Sequence, residues 1–258
     1  MQRNPISVIN HLNQWEDLLK VCNWFLNDFE PDRYYIRELP IAVHTKFIED
    51  NISILRNLLD EIIPEKLNAN ESVFEKRFHL KYAQQEIRFR FLKPAKTGYN
   101  DLSVPLNEFI AHPIACQKVF IVENKMNFLT FPEVADGLAI WGQGFAIENL
   151  KLASWLANKD IFYWSDLDVQ GFQMLSQLRM NFPGAKSFLM EKNLLDLFAD
   201  FVVDGIPSKV VIHDTLNDEE KSVYNALKSK NLRLEQERIP HHHVVSEVDF
   251  MINGVHSR

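Results

Sequence analysis

The chain has 258 residues, 46% hydrophobic and 24% charged, a balance that supports folded domains and excludes an intrinsically disordered chain. Its formal net charge of −7 argues against a uniformly basic, nucleic-acid-binding surface. The two cysteines, Cys22 and Cys116, lie far apart, which excludes a disulfide-rich scaffold. With no apolar run of about 18 residues and no signal-peptide core at the start, we expect a cytoplasmic protein without a membrane segment.

The first part of the chain predicts two amphipathic helices. Apolar residues recur at helical spacing from Leu12 to Leu26. The same pattern returns from Ile48 to Ile62 and stops before Pro64, a residue that cannot continue a helix.

A basic segment, residues 76–96, follows these helices with seven lysines and arginines and a single glutamate. Within it, residues 87–91 alternate apolar side chains with Arg88 and Arg90, which predicts an edge or surface strand with a cationic outer face. Helices followed by a basic hairpin-like segment would suit a small winged-helix domain, so we place the domain boundary within residues 101–113.

The remainder of the chain alternates apolar runs of strand length with helix-like stretches, which is typical of a parallel sheet covered on both faces. The predicted helices are residues 147–156, 169–182 and 191–201. The predicted strands lie within residues 118–124, 137–142, 160–164, 185–190 and 209–213.

Acidic residues stand at the ends of two of these strands. Glu123 ends the first, and Asp166 and Asp168 follow the third. Ligands in open α/β sheets bind at the carboxyl ends of strands, and residues two apart in an extended chain project to the same side. Three converging carboxylates would repel one another unless a cation held them, and such oxygen-rich sites suit Mg²⁺ or Mn²⁺.

The alternative interpretation is structural, because an aspartate at a strand end is often the cap of the next helix. Asp168 precedes a helical pattern and fits that role. Glu123 at an equivalent strand end, together with Gly171 in D-x-D-x-x-G, favours the functional interpretation.

A glutamate after one strand and D-x-D-x-x-G after another resembles the toprim signature, whose acidic trio holds Mg²⁺. More specifically, the chain resembles JetD, also called MksG, a subunit of the Wadjet anti-plasmid systems of bacteria. The similar segments span nearly the whole chain and are residues 37–49, 86–92, 119–132, 162–172 and 232–240.

This resemblance implies an α/β fold like the A subunit of topoisomerase VI. A smaller winged-helix (CAP-like) α+β domain, residues 1–110, would precede a Rossmann-like toprim domain with a mainly parallel sheet, residues 111–258. It also implies hydrolytic cleavage of double-stranded plasmid DNA caught by a condensin-like SMC motor, whose subunits would be partners. Family members usually form a homodimer with the help of a further amino-terminal arm, which we expect this chain to lack.

The expected catalytic residues and metal ligands are therefore Glu123, Asp166 and Asp168, with Glu123 also a candidate general base for the attacking water. The candidate DNA contacts are Arg88, Arg90, Lys93, Lys96 and Lys125, whose charges would neutralise backbone phosphates. A solvated cationic face explains the basic strand equally well in general.

Several alternatives stay open. Tyr82 or Tyr99 would be the nucleophile of a topoisomerase-like covalent route, although the resemblance favours water. The residues alone also allow a small-substrate phosphohydrolase that uses the D-x-D carboxylates, or a non-catalytic DNA-binding adaptor. Residues 241–243, three histidines, fit an exposed cluster better than a metal site. In residues 232–240, Arg233, Glu235 and Glu237 alternate on one face, and a role in supporting the site residues or at an interface explains this pattern as well as cross-strand ion pairs do.

Overall fold

The computed structural model divides the chain into two compact units, residues 1–83 and 84–258. The boundary lies earlier than the expected segment, residues 101–113. The residues that the structure describes are 9–27, 30–93, 98–142, 146–208 and 212–254.

The first unit is built from helices that bury their apolar faces against one another. Its helices are α1 (Trp15–Asn27), α2 (Thr45–Asp50), α3 (Ile52–Ile62) and α4 (Phe74–Arg77), with 3-10 helices at Leu12–Gln14, Pro31–Arg33, Ile36–Glu38 and Pro64–Lys66. Leu18, Phe25, Leu55 and Phe78 are fully buried at its centre. Both predicted helices are confirmed, although the second is divided between α2 and α3.

The second unit contains a six-stranded mixed sheet in the order β2-β1-β4-β3-β5-β6. Strands β3 to β6 run parallel, whereas β1 is antiparallel to both of its neighbours. A separate antiparallel pair is formed by β7 and β8. The strands are β1 (Glu86–Phe91), β2 (Asp101–Pro105), β3 (Lys118–Val122), β4 (Gly137–Trp141), β5 (Asp160–Trp164), β6 (Lys186–Ser187), β7 (Val203–Asp204) and β8 (Leu232–Arg233).

The basic strand β1 is an interior strand of this sheet, which corrects the expectation of an edge or surface strand in the smaller domain. It pairs with β2 on one side, while Phe89 lies opposite Ile140 of β4 on the other. Ile87 and Phe89 point into the core of the second unit and are buried. This apolar face must pack against another layer, so β1 and β2 belong to the α/β sheet. The first unit therefore ends at Ala83.

Three of the five predicted strands are confirmed almost residue for residue as β3, β4 and β5. The strand expected within residues 185–190 is shorter, because only Lys186–Ser187 pair, with β5. Of the strand expected within residues 209–213, residues 209–211 lie outside the part of the chain that the structure describes.

Helices cover the sheet and enclose a core in which Phe120, Tyr163, Trp164 and Phe172 are fully buried. Among the described residues, no helix is long and apolar enough to cross a membrane. The helices are α5 (Leu106–Ala111), α6 (Lys125–Leu129), α7 (Ala146–Leu150), α8 (Val169–Asn181), α9 (Lys192–Leu197), α10 (Asp218–Lys230) and α11 (His241–Asn253), with 3-10 helices at Ser154–Asn158, Ala199–Phe201 and Gln236–Arg238.

A buried ion pair joins α8, β6 and α10 at the far end of α8. The Arg179 guanidinium donates to both Glu220 oxygens at 2.5 and 2.8 Å, and the Ser187 hydroxyl and the Asn217 N–H also donate to this carboxylate. Burial raises the pKa of Glu220, but the hydrogen bonds from Arg179, Asn217 and Ser187 outweigh burial and hold the pKa below its ordinary value of 4.5. The pair therefore stabilises the fold as a charged unit.

We expect Glu220→Gln to lower the free energy of unfolding by about 3 kcal/mol at pH 7, because it leaves the Arg179 charge buried without a counter-charge. Since the folded pKa of Glu220 is depressed, this contribution is present above pH 4.5 and is lost as the pH falls through the lower folded value. Urea denaturation at several pH values measures both effects. Glu219→Gln, at an exposed neighbour on the same helix, is the control and leaves stability nearly unchanged.

Candidate functional site

The carboxyl ends of β3 and β5 form one acidic edge of the sheet. The two strands are parallel neighbours, and Val122 lies opposite Trp164 at their ends. The Glu123 N–H donates to the Trp164 carbonyl at 3.1 Å, so the chain leaving β3 stays beside the chain leaving β5. The structure therefore brings Glu123 to the turn that carries Asp166.

A cleft of about 340 Å³ opens at this edge, and Glu123, Asp166 and Asp168 all line it. One wall is helix α8, whose Gln170, Gln173, Met174 and Gln177 recur at helical spacing and face the cleft. Arg233 also lines the cleft, together with Gly142 and Ile206. The arrangement places three carboxylates, one guanidinium and several amides around a single concave surface.

Asp166 is held by protein partners on both of its oxygens. Its Oδ1 accepts a hydrogen bond from the Gln236 N–H at 2.7 Å. Its Oδ2 accepts from Arg233 twice, from Nε at 3.0 Å and from Nη2 at 2.5 Å. Asp166 therefore forms a partly buried ion pair with Arg233.

Asp168 has the structural role that was weighed against metal binding, since it caps helix α8. Its Oδ1 accepts from the Gly171 N–H at 2.8 Å. Its Oδ2 lies 3.8 Å from Arg233 Nε. Burial and the Asp166 charge raise the pKa of Asp168, while the hydrogen bond from Gly171 and the charge of Arg233 oppose the rise. The cap uses one oxygen and leaves the other towards the cleft.

Glu123 differs from the two aspartates because its carboxylate accepts no hydrogen bond and forms no ion pair with the described residues. The residue is exposed and lines the cleft, although protein atoms surround its carboxyl group. This burial, followed by the charges of Asp166 and Asp168, raises its pKa to about 7. An unpaired carboxylate of this kind is ready to accept a cation or a proton.

The segment of residues 232–238 connects the two acidic turns. Leu234 and Leu167 exchange backbone hydrogen bonds of 2.9 and 3.0 Å, which fixes the segment to the D-x-D turn. Gln236 Oε1 accepts from the Asn124 N–H at 2.8 Å, and Glu237 Oε1 accepts from Asn124 Nδ2 at 2.7 Å. One stretch near the end of the chain therefore positions both carboxylate-bearing turns.

Sequence reasoning missed Gln236 and left Arg233 undecided, since a role in supporting the site residues and ordinary cross-strand ion pairs explained its alternating pattern equally well. The signal that was available is electrostatic, because three clustered carboxylates require a compensating cation. The sequence contains many arginines, however, and only the tertiary pairing of Leu167 with Leu234 identifies which one reaches the cleft.

The donor chemistry of the cleft fits a hard divalent cation, which prefers carboxylate and amide oxygens. As the side chains stand, however, no group of three histidine, cysteine, aspartate or glutamate residues in the described ranges is arranged to hold a metal ion. In this arrangement both Asp166 oxygens accept hydrogen bonds from the protein. His241–His243 begin helix α11, where His243 packs edge-on against Phe198.

Two of the five predicted DNA contacts, Arg88 and Arg90, are engaged by other groups of the protein. Arg88 forms a two-pronged ion pair with Asp101 at 2.8 Å, and Arg90 donates to the carbonyls of Phe128 and Leu129. The charge of Arg88, through its hydrogen bonds, lowers the pKa of Asp101. β1 is thus tied to its neighbours rather than offering a free cationic face.

Of the remaining basic candidates, Lys93 and Lys125 are at the surface. Lys93 is exposed, Lys125 lies over the Trp141 ring with its Nζ 5.5 Å from the ring centroid, and Lys96 lies outside the described residues. Tyr82 belongs to the first unit, where Lys76 lies over its ring, and Tyr99 belongs to the second, where it is 71% exposed.

The glycine of D-x-D-x-x-G is required by a close approach of helix α8 to the acidic turn. A Cβ at Gly171 would lie 2.2 Å from Ser165 Oγ and 2.3 Å from the Asp166 carbonyl oxygen. No side chain fits there without moving the backbone that carries Asp166.

We expect Gly171→Ala to lower the free energy of unfolding by about 2 kcal/mol, because the new methyl group overlaps the turn. Thermal or urea denaturation measures the loss. Gly184→Ala is the matched control, since its Cβ would meet no atom within 4 Å, and it should leave stability unchanged or slightly higher. Equal stability of the two variants would contradict the close approach.

Comparison with known families covers both units. A model described as Wadjet protein JetD, C-terminal, matches residues 79–248, which include Glu123, Asp166, Asp168 and Arg233. A second model, for the N-terminal region of an uncharacterized protein conserved in bacteria (DUF3322), matches residues 1–60. No curated protein matches the chain. Because the first model spans more than half of the chain, the protein belongs to the Wadjet JetD family.

Proposed function

We propose that the protein is a divalent-metal-dependent endonuclease that hydrolyses plasmid DNA as the JetD component of a Wadjet system. One observation carries the proposal, namely that Glu123, Asp166 and Asp168 line one cleft at the carboxyl ends of adjacent parallel strands. This is the position at which open α/β sheets bind their ligands. Family membership supports the Wadjet role and, with it, SMC-like partner subunits in the same complex.

The proposed fold assignment follows the same reasoning. A mainly parallel sheet with an acidic carboxyl edge supports a toprim domain for residues 84–258. For the first unit, the winged-helix assignment now rests on the family resemblance alone, because the hairpin that motivated it belongs to the second unit.

In the proposed reaction, Mg²⁺ or Mn²⁺ would neutralise the phosphate and activate the attacking water. Glu123 is the carboxylate with no protein partner in the described structure, so it supplies the open oxygen ligand and is also placed to accept the proton of the water. Gln170 and Gln177 present amide donors along the wall of the cleft to phosphate oxygens.

The contacts of the carboxylates bear differently on the two alternative functions, a phosphohydrolase and a non-catalytic adaptor. A phosphohydrolase in which the first aspartate attacks phosphate is disfavoured, because both oxygens of Asp166 are already hydrogen-bonded. A non-catalytic DNA-binding adaptor is favoured by one observation, that the described carboxylates do not form a three-ligand metal site as they stand. We therefore keep the adaptor as the second candidate.

Supercoiled plasmid incubated with the protein and Mn²⁺ tests the nuclease proposal. We expect nicked or linear product, and we expect Glu123→Gln to slow its formation by at least about 100-fold, because the variant removes the open anionic ligand. Asp160→Asn is the control, since this exposed carboxylate lies at the opposite end of β5 and should leave the rate unchanged.

Two other outcomes of this assay would reject the proposal. Absence of cleavage with any divalent metal, even with the Wadjet partner subunits supplied, supports the adaptor. Equal cleavage by Glu123→Gln and the unaltered protein would remove the acidic cleft from the reaction.

The proposal also places a DNA phosphate near Lys125, two residues after Glu123 and exposed at the start of α6. We expect Lys125→Gln to weaken binding to duplex DNA and to reduce the slope of log affinity against log salt concentration by about 1, as loss of one phosphate contact requires. Fluorescence anisotropy measures both quantities without metal. Lys118→Gln, at the other end of β3, is the control, and identical salt slopes for all three proteins would refute the contact.

A further inference from the structure

Arg233 is the one basic residue among the described residues that line the acidic cleft. It reaches the cleft from β8, and its side chain is 32% exposed, so it is partly shielded from solvent. Its guanidinium contacts Asp166 directly and lies 3.8 Å from Asp168 and 3.7 Å from Glu235, which is not among the residues that line the cleft. Four ionisable groups at full charge, three carboxylates and one guanidinium, leave the cleft with an excess of negative charge.

The contacts of Asp166 leave little room for another cation. A carboxylate oxygen has two lone-pair directions, and Oδ2 already accepts two hydrogen bonds from Arg233. Oδ1 accepts one more from the Gln236 N–H. Oδ1 keeps one open direction, but a divalent ion that binds Asp166 through Oδ2, or through both oxygens, must displace the guanidinium.

We propose that Arg233 is an internal competitor of the divalent ion, a built-in cation that holds Asp166 until a metal replaces it. This inference rests on the proposed metal-dependent function and adds a means of regulating the same site. Arg233 supplies the positive charge that the clustered carboxylates need when no metal is bound. The exchange weakens metal binding, because each ion that enters must break a charge-assisted contact that the empty site already has.

The alternative role for Arg233 is that of a positioning residue, which orients Asp166 for the metal and stays in place when it binds. The two roles predict opposite effects of removing the guanidinium. A competitor that is removed leaves metal binding tighter, whereas a positioning residue that is removed leaves it weaker.

Calorimetric titration of the full chain with Mn²⁺, without DNA, separates these roles. We expect Arg233→Gln to bind Mn²⁺ about tenfold more tightly than the unaltered protein, since one positive charge beside the ion is gone. Arg233→Lys keeps the charge but loses the two-pronged contact, so its affinity should lie between the two. Equal or weaker binding by both Arg233 variants would overturn the inference while leaving the nuclease proposal intact.

Arg238→Gln is the matched control for a general loss of positive charge. Arg238 lies on the same segment, but its side chain is 50% exposed and its ion pair, at 3.5 Å, is with Glu235 rather than with the acidic trio. It should bind Mn²⁺ as the unaltered protein does. If Arg238→Gln gained as much Mn²⁺ affinity as Arg233→Gln, the gain would come from the general loss of positive charge. That result would also overturn direct competition by Arg233.

Thermal unfolding gives a readout that is independent of catalysis. In EDTA, Arg233→Gln should melt below the unaltered protein, because its carboxylates lack a counter-charge, and Mn²⁺ should raise its Tm by the larger amount. A lowered Tm that Mn²⁺ does not restore indicates a structural role and rejects the inference. If neither the unaltered protein nor Arg233→Gln binds Mn²⁺ by either method, the proposed function fails, and the inference fails with it.

Discussion

Repulsion between carboxylates at one edge of the sheet is the constraint on which this site depends. The parallel pairing of β3 and β5 fixes Glu123 beside the D-x-D turn, so their charges cannot move apart without disrupting the sheet. The compensation comes from residues 232–238, a segment more than 100 positions after Glu123 in the chain. Its backbone pairs with Leu167, its Gln236 holds Asn124, and its Arg233 binds Asp166. The segment therefore fixes the positions of the two acidic turns and also supplies a compensating positive charge.

The D-x-D-x-x-G pattern has a physical explanation in this geometry. Asp166 faces residues 232–238, Leu167 is fully buried, and Asp168 caps helix α8 by accepting a hydrogen bond from the Gly171 N–H. The missing side chain at Gly171 lets the helix approach the turn that carries the first aspartate. Structural and functional interpretations of Asp168 are therefore compatible, since capping occupies one oxygen and aims the other.

Local patterns predicted the parts of the fold that local forces decide. Strands β3, β4 and β5 are continuous apolar runs, and α8 follows its cap, so sequence alone located them and the acidic edge they form. The sequence analysis assigned strand β1, which carries Arg88 and Arg90, to the wrong unit. Its alternation of apolar and basic residues indicates that one face is buried, but it does not indicate which layer that face packs against. The role of Arg233 stayed undecided for the same reason, since its position depends on the long-range pairing of Leu167 with Leu234. A run of basic residues is equally ambiguous, because the sequence does not show whether each charge is paired within the protein. Arg88, for example, is paired with Asp101 across the hairpin.

The three carboxylates are unequally available, and under the proposed function this inequality would order the steps of cation binding. Glu123 has no protein partner in the described structure, Asp168 has one oxygen in the cap, and both oxygens of Asp166 accept hydrogen bonds. An ion that entered the cleft would therefore find Glu123 unpaired, whereas Oδ2 of Asp166 is held by Arg233. The positive charge of such an ion would repel Arg233 while it attracted Asp166, so the first contact would weaken the pairing that opposes the next.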